Sequence, residues 1–322
     1  MSEPTFFEPV FPNGGELDNR FLPDNLRDSI SMISPEEKAF LFGLARNHYT
    51  GVGSIVDAGI FLGASTKCFA AGLNENDSRS HIREKSIQSY EYGIATDLMI
   101  DIFARREIGA GLRSGDSFEH LLRTSLGDDV DMTELHIGDI CDSNWTFGPI
   151  EILFLDVIKT SRINQHVFTT FFEDLLPGHS IVVQQDYFVD FLPFLKITQE
   201  SLSPYFDFIC AIGPTAAFQL NQTIPPEVLR TASDPDTMSV AQCLELLEAA
   251  EIRAVSTERR VLTGLSTVHF LCSRGLADEA SSELSRLSLL LSASETSKRL
   301  EVAILHAQDA IKRLRNDEEN GN

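Results

Sequence analysis

The sequence predicts an α/β fold in which a doubly wound sheet is closed by one antiparallel hairpin and followed by a mainly helical extension. Three observations predict it. Short β-rich runs alternate with helical periodicity between about residues 50 and 205. The run at residues 180–186 is continuously apolar at its start, as a strand covered on both faces requires. Two later runs, Phe206–Ile212 and Ala216–Leu220, are separated only by Gly213-Pro214-Thr215, too short for a crossover, so they must pair antiparallel.

Residues 1–33 are rich in Pro, Asn, Gly and Asp around isolated aromatics such as Phe6, Phe7 and Phe11, which suggests an arm draped over a domain. Ser34-Pro35-Glu36-Glu37 is a helix start, combining a cap, a first-turn proline and acids at the positive helix end, and the helix should reach about Asn47. Ser54–Gly59 reads as the first strand, and Gly63-Ala64-Ser65-Thr66 opens a helix to about Leu73. The second, third and fourth strands are Ser86–Glu91, Glu134–Asp139 and Ile150–Asp156. A helix from Arg162 to Leu176 stops at Pro177-Gly178, before the fifth strand at Ser180–Asp186 and a helix from Phe191 to Leu202. Beyond Pro225 helical periodicity dominates, with helices expected at 240–250, 276–292 and 295–315 and a weak strand at Val268–Cys272. These readings divide the chain into an arm at 1–33, a sheet domain at 34–224 and a helical extension at 225–322.

Lys and Arg total 26 against 48 Asp and Glu, a formal charge of −22, so nucleic acid is an improbable partner. Cys68, Cys141, Cys210, Cys243 and Cys272 lie far apart without metal-ligand spacing and read as free thiols in a reducing compartment. With no signal-like start and no apolar run of about 20 residues, a membrane partner is not expected and the protein is read as cytoplasmic. A homo-oligomer is compatible with the composition.

In open α/β sheets ligands gather beyond the carboxyl ends of the strands. Asp57, Glu91, Asp139, Asp156 and Asp186 all close predicted strands there. The first turn reads Asp57-Ala-Gly59-Ile-Phe-Leu-Gly63-Ala-Ser65, without the GxGxxG triplet that brings backbone to a pyrophosphate, which argues against a nicotinamide oxidoreductase. Gly59 and Gly63 would let backbone approach a ligand closely, and Ser65 near a helix N-terminus suits a ligand carboxylate.

At these residues the sequence resembles the class I S-adenosylmethionine-dependent methyltransferases over roughly residues 35–222. The resemblance rests on Val56–Thr66, Tyr90-Glu91, Gly138-Asp139 and the terminal hairpin. It implies a Rossmann-like seven-stranded sheet and S-adenosyl-L-methionine as cofactor, with Asp57, Gly59, Gly63, Ser65, Glu91 and Asp139 as its binding positions. Gly59 and Gly63 would border the methionine part, Glu91 would take the ribose hydroxyls and Asp139 would sit by the adenine.

Leu155-Asp156-Val157-Ile158-Lys159 places a lysine three residues after an acid. This DxxK resembles the catechol O-methyltransferases, where the Asp binds magnesium and the Lys is the base. The stretch from Asp156 to Tyr187 is more similar to the macrocin-type sugar O-methyltransferases. It departs from both, since Gln185-Asp186-Tyr187 stands where one group has Asp-Asn and the other Asp-Asp-Tyr, and Val157 and Ile158 replace polar residues. Asp156, Gln185 and Asp186 are the candidate Mg2+ ligands. Lys159 is the candidate base, its pKa expected to fall through burial and the ion. The activity implied is transfer of a methyl group to a hydroxyl of a sugar or small natural-product acceptor. A cofactor-binding assembly or regulatory protein with a degenerate site is the alternative, with Leu284, Leu287, Leu290 and Leu291 as a partner-facing stripe.

Residues 93–131 exceed a crossover helix and form a candidate lid. Trp145 and Phe147 either wall the adenine pocket or pack. His136 reads as a core or edge residue, while His166 and His179 carry no pairing signal.

Overall fold

The protein is described by a computed structural model over residues 22–77, 85–291 and 297–319. Most of the arm, with Phe6, Phe7 and Phe11, lies outside the described residues. The elements run α1 (Asp24–Arg27), α2 (Pro35–Asn47), β1 (Ser54–Ala58), α3 (Ala64–Asn74), β2 (Ile87–Glu91), α4 (Asp97–Arg105), α5 (Glu119–Leu126), β3 (Thr133–Ile137), β4 (Ile150–Leu155), α6 (Ser161–Phe171), β5 (Ile181–Gln184), α7 (Pro193–Ser201), β6 (Phe206–Ile212), β7 (Thr215–Leu220), α8 (Pro226–Ala232), α9 (Val240–Arg253), α10 (Thr257–Ser273), α11 (Ala277–Leu289) and α12 (Lys298–Glu319). The strands form one seven-stranded sheet in the order β3-β2-β1-β4-β5-β7-β6. β1 to β5 are parallel and β7 is antiparallel to both β5 and β6.

Period-two alternation divides the strand side chains between two faces. Val56, Leu153, Leu155 and Val182 pack with Val167, Phe168 and Phe171 of α6 and Leu195 of α7. Ile55, Ile152, Phe154 and Val183 pack with Phe40 and Leu44 of α2 and Phe69 of α3. The expected start of α2 is present in full: Ser34 accepts from the Glu37 amide and Glu37 accepts from the Ser34 amide, a reciprocal capping box. At the opposite sheet edge the buried Glu151 gathers the amides of Thr50, Gly51 and Gly53 and the Thr50 hydroxyl, fixing the entry into β1.

The switch in strand order falls between β1 and β4, and their carboxyl ends lie side by side in the register Ala58 to Leu155. This geometry puts Gly59 and Asp156 at one crevice, with Asp57 buried behind it.

Two expectations are corrected. Val268–Cys272 is not a strand but the last part of α10, because Val261, Leu265, Val268 and Leu271 recur at helical spacing and supply one buried stripe. The leucine stripe faces its own bundle, with Leu287 fully buried and Leu284, Leu290 and Leu291 packed against the same cluster of α10 and α12 side chains. The extension is joined firmly to the sheet domain. Arg253 donates two hydrogen bonds to Glu200 of α7, which also accepts from the buried Tyr187 hydroxyl, while Ser266 donates to the Val189 carbonyl.

Candidate active site

β1 leads into a turn built on two left-handed glycines, Gly59 at φ +92° and Gly63 at φ +79°. The close approaches that they permit are made by the protein itself. A Cβ on Gly59 would lie 2.7 Å from the Asp156 carbonyl, and one on Gly63 would lie 2.5 Å from the Leu126 side chain of α5. Neither glycine is open on the side that a Cβ would occupy. Between them, Phe61 holds the left-handed region at φ +51°, a conformation that costs a non-glycine residue about 1 kcal/mol or more. Its ring repays this by stacking on Phe103 at 5.7 Å, with Phe118 at 5.9 Å.

Residues 93–131, expected as a lid, are thereby docked on the glycine turn. Ile94 bridges Ser117, and Phe103, Phe118 and Leu122 bury Ile60, Phe61 and Leu62. Over the other side lies the segment that follows α1. The Lys38 ammonium reaches the carbonyls of Leu26, Arg27 and Ser29 at 2.8–3.1 Å, and this fixes the chain where Ser31, Met32 and Ile33 face Gly59 and Phe61. The cavity left between them is about 10 Å³, room for at most one water molecule.

Asp57 is fully buried and accepts from Ser65 and Thr66 on one oxygen, at 2.9 and 2.7 Å. Its Oδ1 has no hydrogen-bond partner among the described residues. Burial pushes its pKa up to about 7, against the two hydroxyl bonds that favour the charged form. Ser65 is therefore committed to Asp57 rather than free at the helix N-terminus. Glu91 closes β2 as expected, yet one oxygen accepts the Phe61 amide at 2.6 Å and the other the Gly93 amide at 3.2 Å. Burial raises its pKa. The Tyr92 amide is a third backbone donor to the same carboxylate. Asp139 is apart from this buried group: it caps the short turn at Cys141 and pairs with Arg162 at 2.9 Å, and both interactions lower its pKa.

The β4 and β5 ends do converge. Lys159 Nζ lies 2.7 Å from Asp156 Oδ1, 2.5 Å from Asp186 Oδ2 and 3.4 Å from Gln185 Oε1. Asp186 reaches this point from a left-handed backbone at φ +63°. The carboxylates are 13% and 17% exposed and the lysine 45%. Burial raises the Asp156 pKa to about 7 although the lysine opposes it. The expected depression of the Lys159 pKa is corrected: burial pulls it down, but Asp156 and Asp186 together hold it above the ordinary value.

The same geometry bears on the magnesium expectation. A hard divalent ion needs several oxygen ligands around it, whereas the gap between the two carboxylates is filled by an ammonium. Among the described residues no group of three or more His, Cys, Asp or Glu could hold a metal. The residues present do not fit the ion as they stand.

Sequence reasoning missed Glu37 as a neighbour of this site. It is buried, accepts from Thr215 of β7 at 2.5 Å, and is coupled electrostatically to Asp156 and Asp186. The Pro35–Glu37 signal read as a cap holds, but its second partner is 178 positions away. Trp145 packs on Phe147 and Phe171 and donates to the Gly148 carbonyl. On the edge strand β3, His136 stacks on Tyr90 and bonds Gln88 of β2, and His166 contacts Thr170. All five cysteines are free, and no described helix is long and apolar enough to cross a membrane.

No protein-family model matches this sequence, and no curated protein sequence matches it either.

Proposed function

We propose that the protein is an S-adenosylmethionine-dependent O-methyltransferase with a Rossmann-like, doubly wound domain, acting on a hydroxyl of a sugar or small natural-product acceptor. The observation that carries the reading is the juxtaposition at the β1/β4 switch of a positive-φ glycine turn, an unpartnered buried Asp57 oxygen and the Glu91 carboxylate. An unpaired buried acceptor costs about 1–3 kcal/mol, and a cationic donor on a ligand would recover it. The parallel sheet ending in an antiparallel hairpin supports the same reading.

The cofactor would supply an electrophilic methyl group. Asp57 and Glu91 favour a positively charged ligand and one carrying hydroxyl donors. A crevice of about 10 Å³ does not admit a ligand that needs some hundreds of Å³, so binding requires Ser31–Ile33 to move off the Gly59 turn. Asp156, with its pKa near neutrality, takes the acceptor proton, while the Lys159 ammonium stabilises the oxygen charge that develops.

The closed crevice also favours a second reading, an assembly or regulatory protein that retains the fold without turnover. Incubation with the methyl donor and a panel of hydroxylated acceptors, read by mass spectrometry, separates the two. Methylated product from the wild type and a loss of at least about a hundredfold in Asp156→Asn supports the enzyme. Donor binding with no product across the panel supports the second reading.

A further inference from the structure

The helical extension carries two exposed surfaces that the methyltransferase reading does not use. The first is a groove of about 680 Å³ laid along α10 between α9 and α11. Leu244 and the 69% exposed Ile252 line it on the α9 side, and Leu271 of α10 lies at its base. Glu251 ties the walls together at one end by accepting from Arg260 and Arg286. Toward the other end the exposed Glu248 and Glu279 line α9 and α11 without an ion-pair partner among the described residues.

The second surface is the outer face of α12. Leu300, Ala303, Ala307 and Ile311 bury its inner face. Opposite them, Lys298, Val302, Leu305, Asp309 and Lys312 recur at intervals of four and three residues, which places them in one strip about 21 Å long. Val302 is 42% and Leu305 57% exposed. The exposed Lys298, Arg299, Lys312 and Arg313 flank this apolar pair and have no ion-pair partner among the described residues.

We infer that the groove receives α12 of a second copy of this chain, making a two-fold dimer through the C-terminal extension. An apolar groove with acidic rims matches a helix with an apolar centre and cationic flanks, so both burial and charge favour the contact. Every copy carries both surfaces, so a two-fold arrangement forms the contact twice and closes. The chain's own residues 1–21 hold four acids and one arginine and would be repelled by the same rims. The inference stands independently of methyl transfer.

Sedimentation velocity on the full chain between roughly 1 and 100 µM tests it. The expected result is a reversible dimer that Ile252→Asp and Leu305→Asp each weaken by at least about tenfold, with circular dichroism and melting reporting intact folds. Mixing the two variants should restore association, because the groove of one and the α12 of the other remain intact. Lys312→Glu with Arg313→Glu should also weaken the dimer, and a partner carrying Glu248→Lys with Glu279→Lys should recover it. A wild-type monomer throughout this range, a dimer indifferent to both aspartate variants, or no recovery on mixing folded variants would overturn the inference.

Discussion

At the scale of single residues, the site is governed by carboxylates that are buried or largely buried. Lys159 lies between two of them and occupies the place a divalent ion would need. The wild type should therefore keep its activity in EDTA. In Lys159→Ala the freed pair Asp156 and Asp186, with Gln185, should begin to bind Mg2+, seen as an ion-dependent rise in melting temperature absent from the wild type. Asp57 makes a different prediction. Its folded pKa of about 7 lies above the ordinary 3.8, so between these values the folded state keeps a proton that the unfolded state has lost. The stabilisation is complete at pH 4, shrinks as the pH rises toward 7 and is gone above it. Asp57→Asn should flatten this fall, by up to about 4 kcal/mol between pH 4 and 8 in urea titrations. A wild-type curve that rises with pH over this interval and is steepened by the substitution would contradict the assignment.

The residue types at this edge were legible because strand ends and glycine turns have local signatures. Their partners were not. Ser65 and Glu91 bond atoms of the chain itself, and whether a lysine faces an ion or two carboxylates depends on side-chain positions set by contacts between β4 and β5.

Among the elements, the strands and their order of appearance could be read because each is a short apolar run bounded by breakers. The error at Val268–Cys272 has a physical cause: a short run of four apolar residues and one histidine satisfies a strand and a buried helix equally, and only the length of α10 decides. The insertion carrying α4 and α5 was legible as an excess of chain, but its docking on Phe61 was not. Phe103 is the centre of that docking, touching both Phe61 and Phe118. Phe103→Ala should cost about 3–5 kcal/mol in chemical denaturation and loosen the glycine turn, since the ring contact compensates for the left-handed Phe61 backbone. A loss below about 1 kcal/mol would mean that the insertion is not anchored through this ring.

Over the whole molecule, the boundary expected near residue 225 separates two sets of elements but not two mechanical units. Arg253 of α9 reaches Glu200 on α7, and the pair shares the buried Tyr187 hydroxyl. Such joints are invisible in sequence because their members are 53 and 13 positions apart. Arg253→Ala would leave a buried carboxylate uncompensated, a loss of about 3–5 kcal/mol, and should lower the melting temperature of sheet and extension together. Two separated transitions in the wild type would contradict the coupling.

The same coupling of distant parts controls access to the crevice, where Lys38 fixes the segment that faces Gly59. The most direct measurement is isothermal titration of S-adenosylmethionine into the full chain, alongside Glu91→Ala and Lys38→Met. The account predicts saturable binding to the wild type, weakening by at least about tenfold in Glu91→Ala, and tighter or faster binding when Lys38→Met releases the segment. No detectable heat for the wild type and for Lys38→Met, with both shown to be folded, would contradict it.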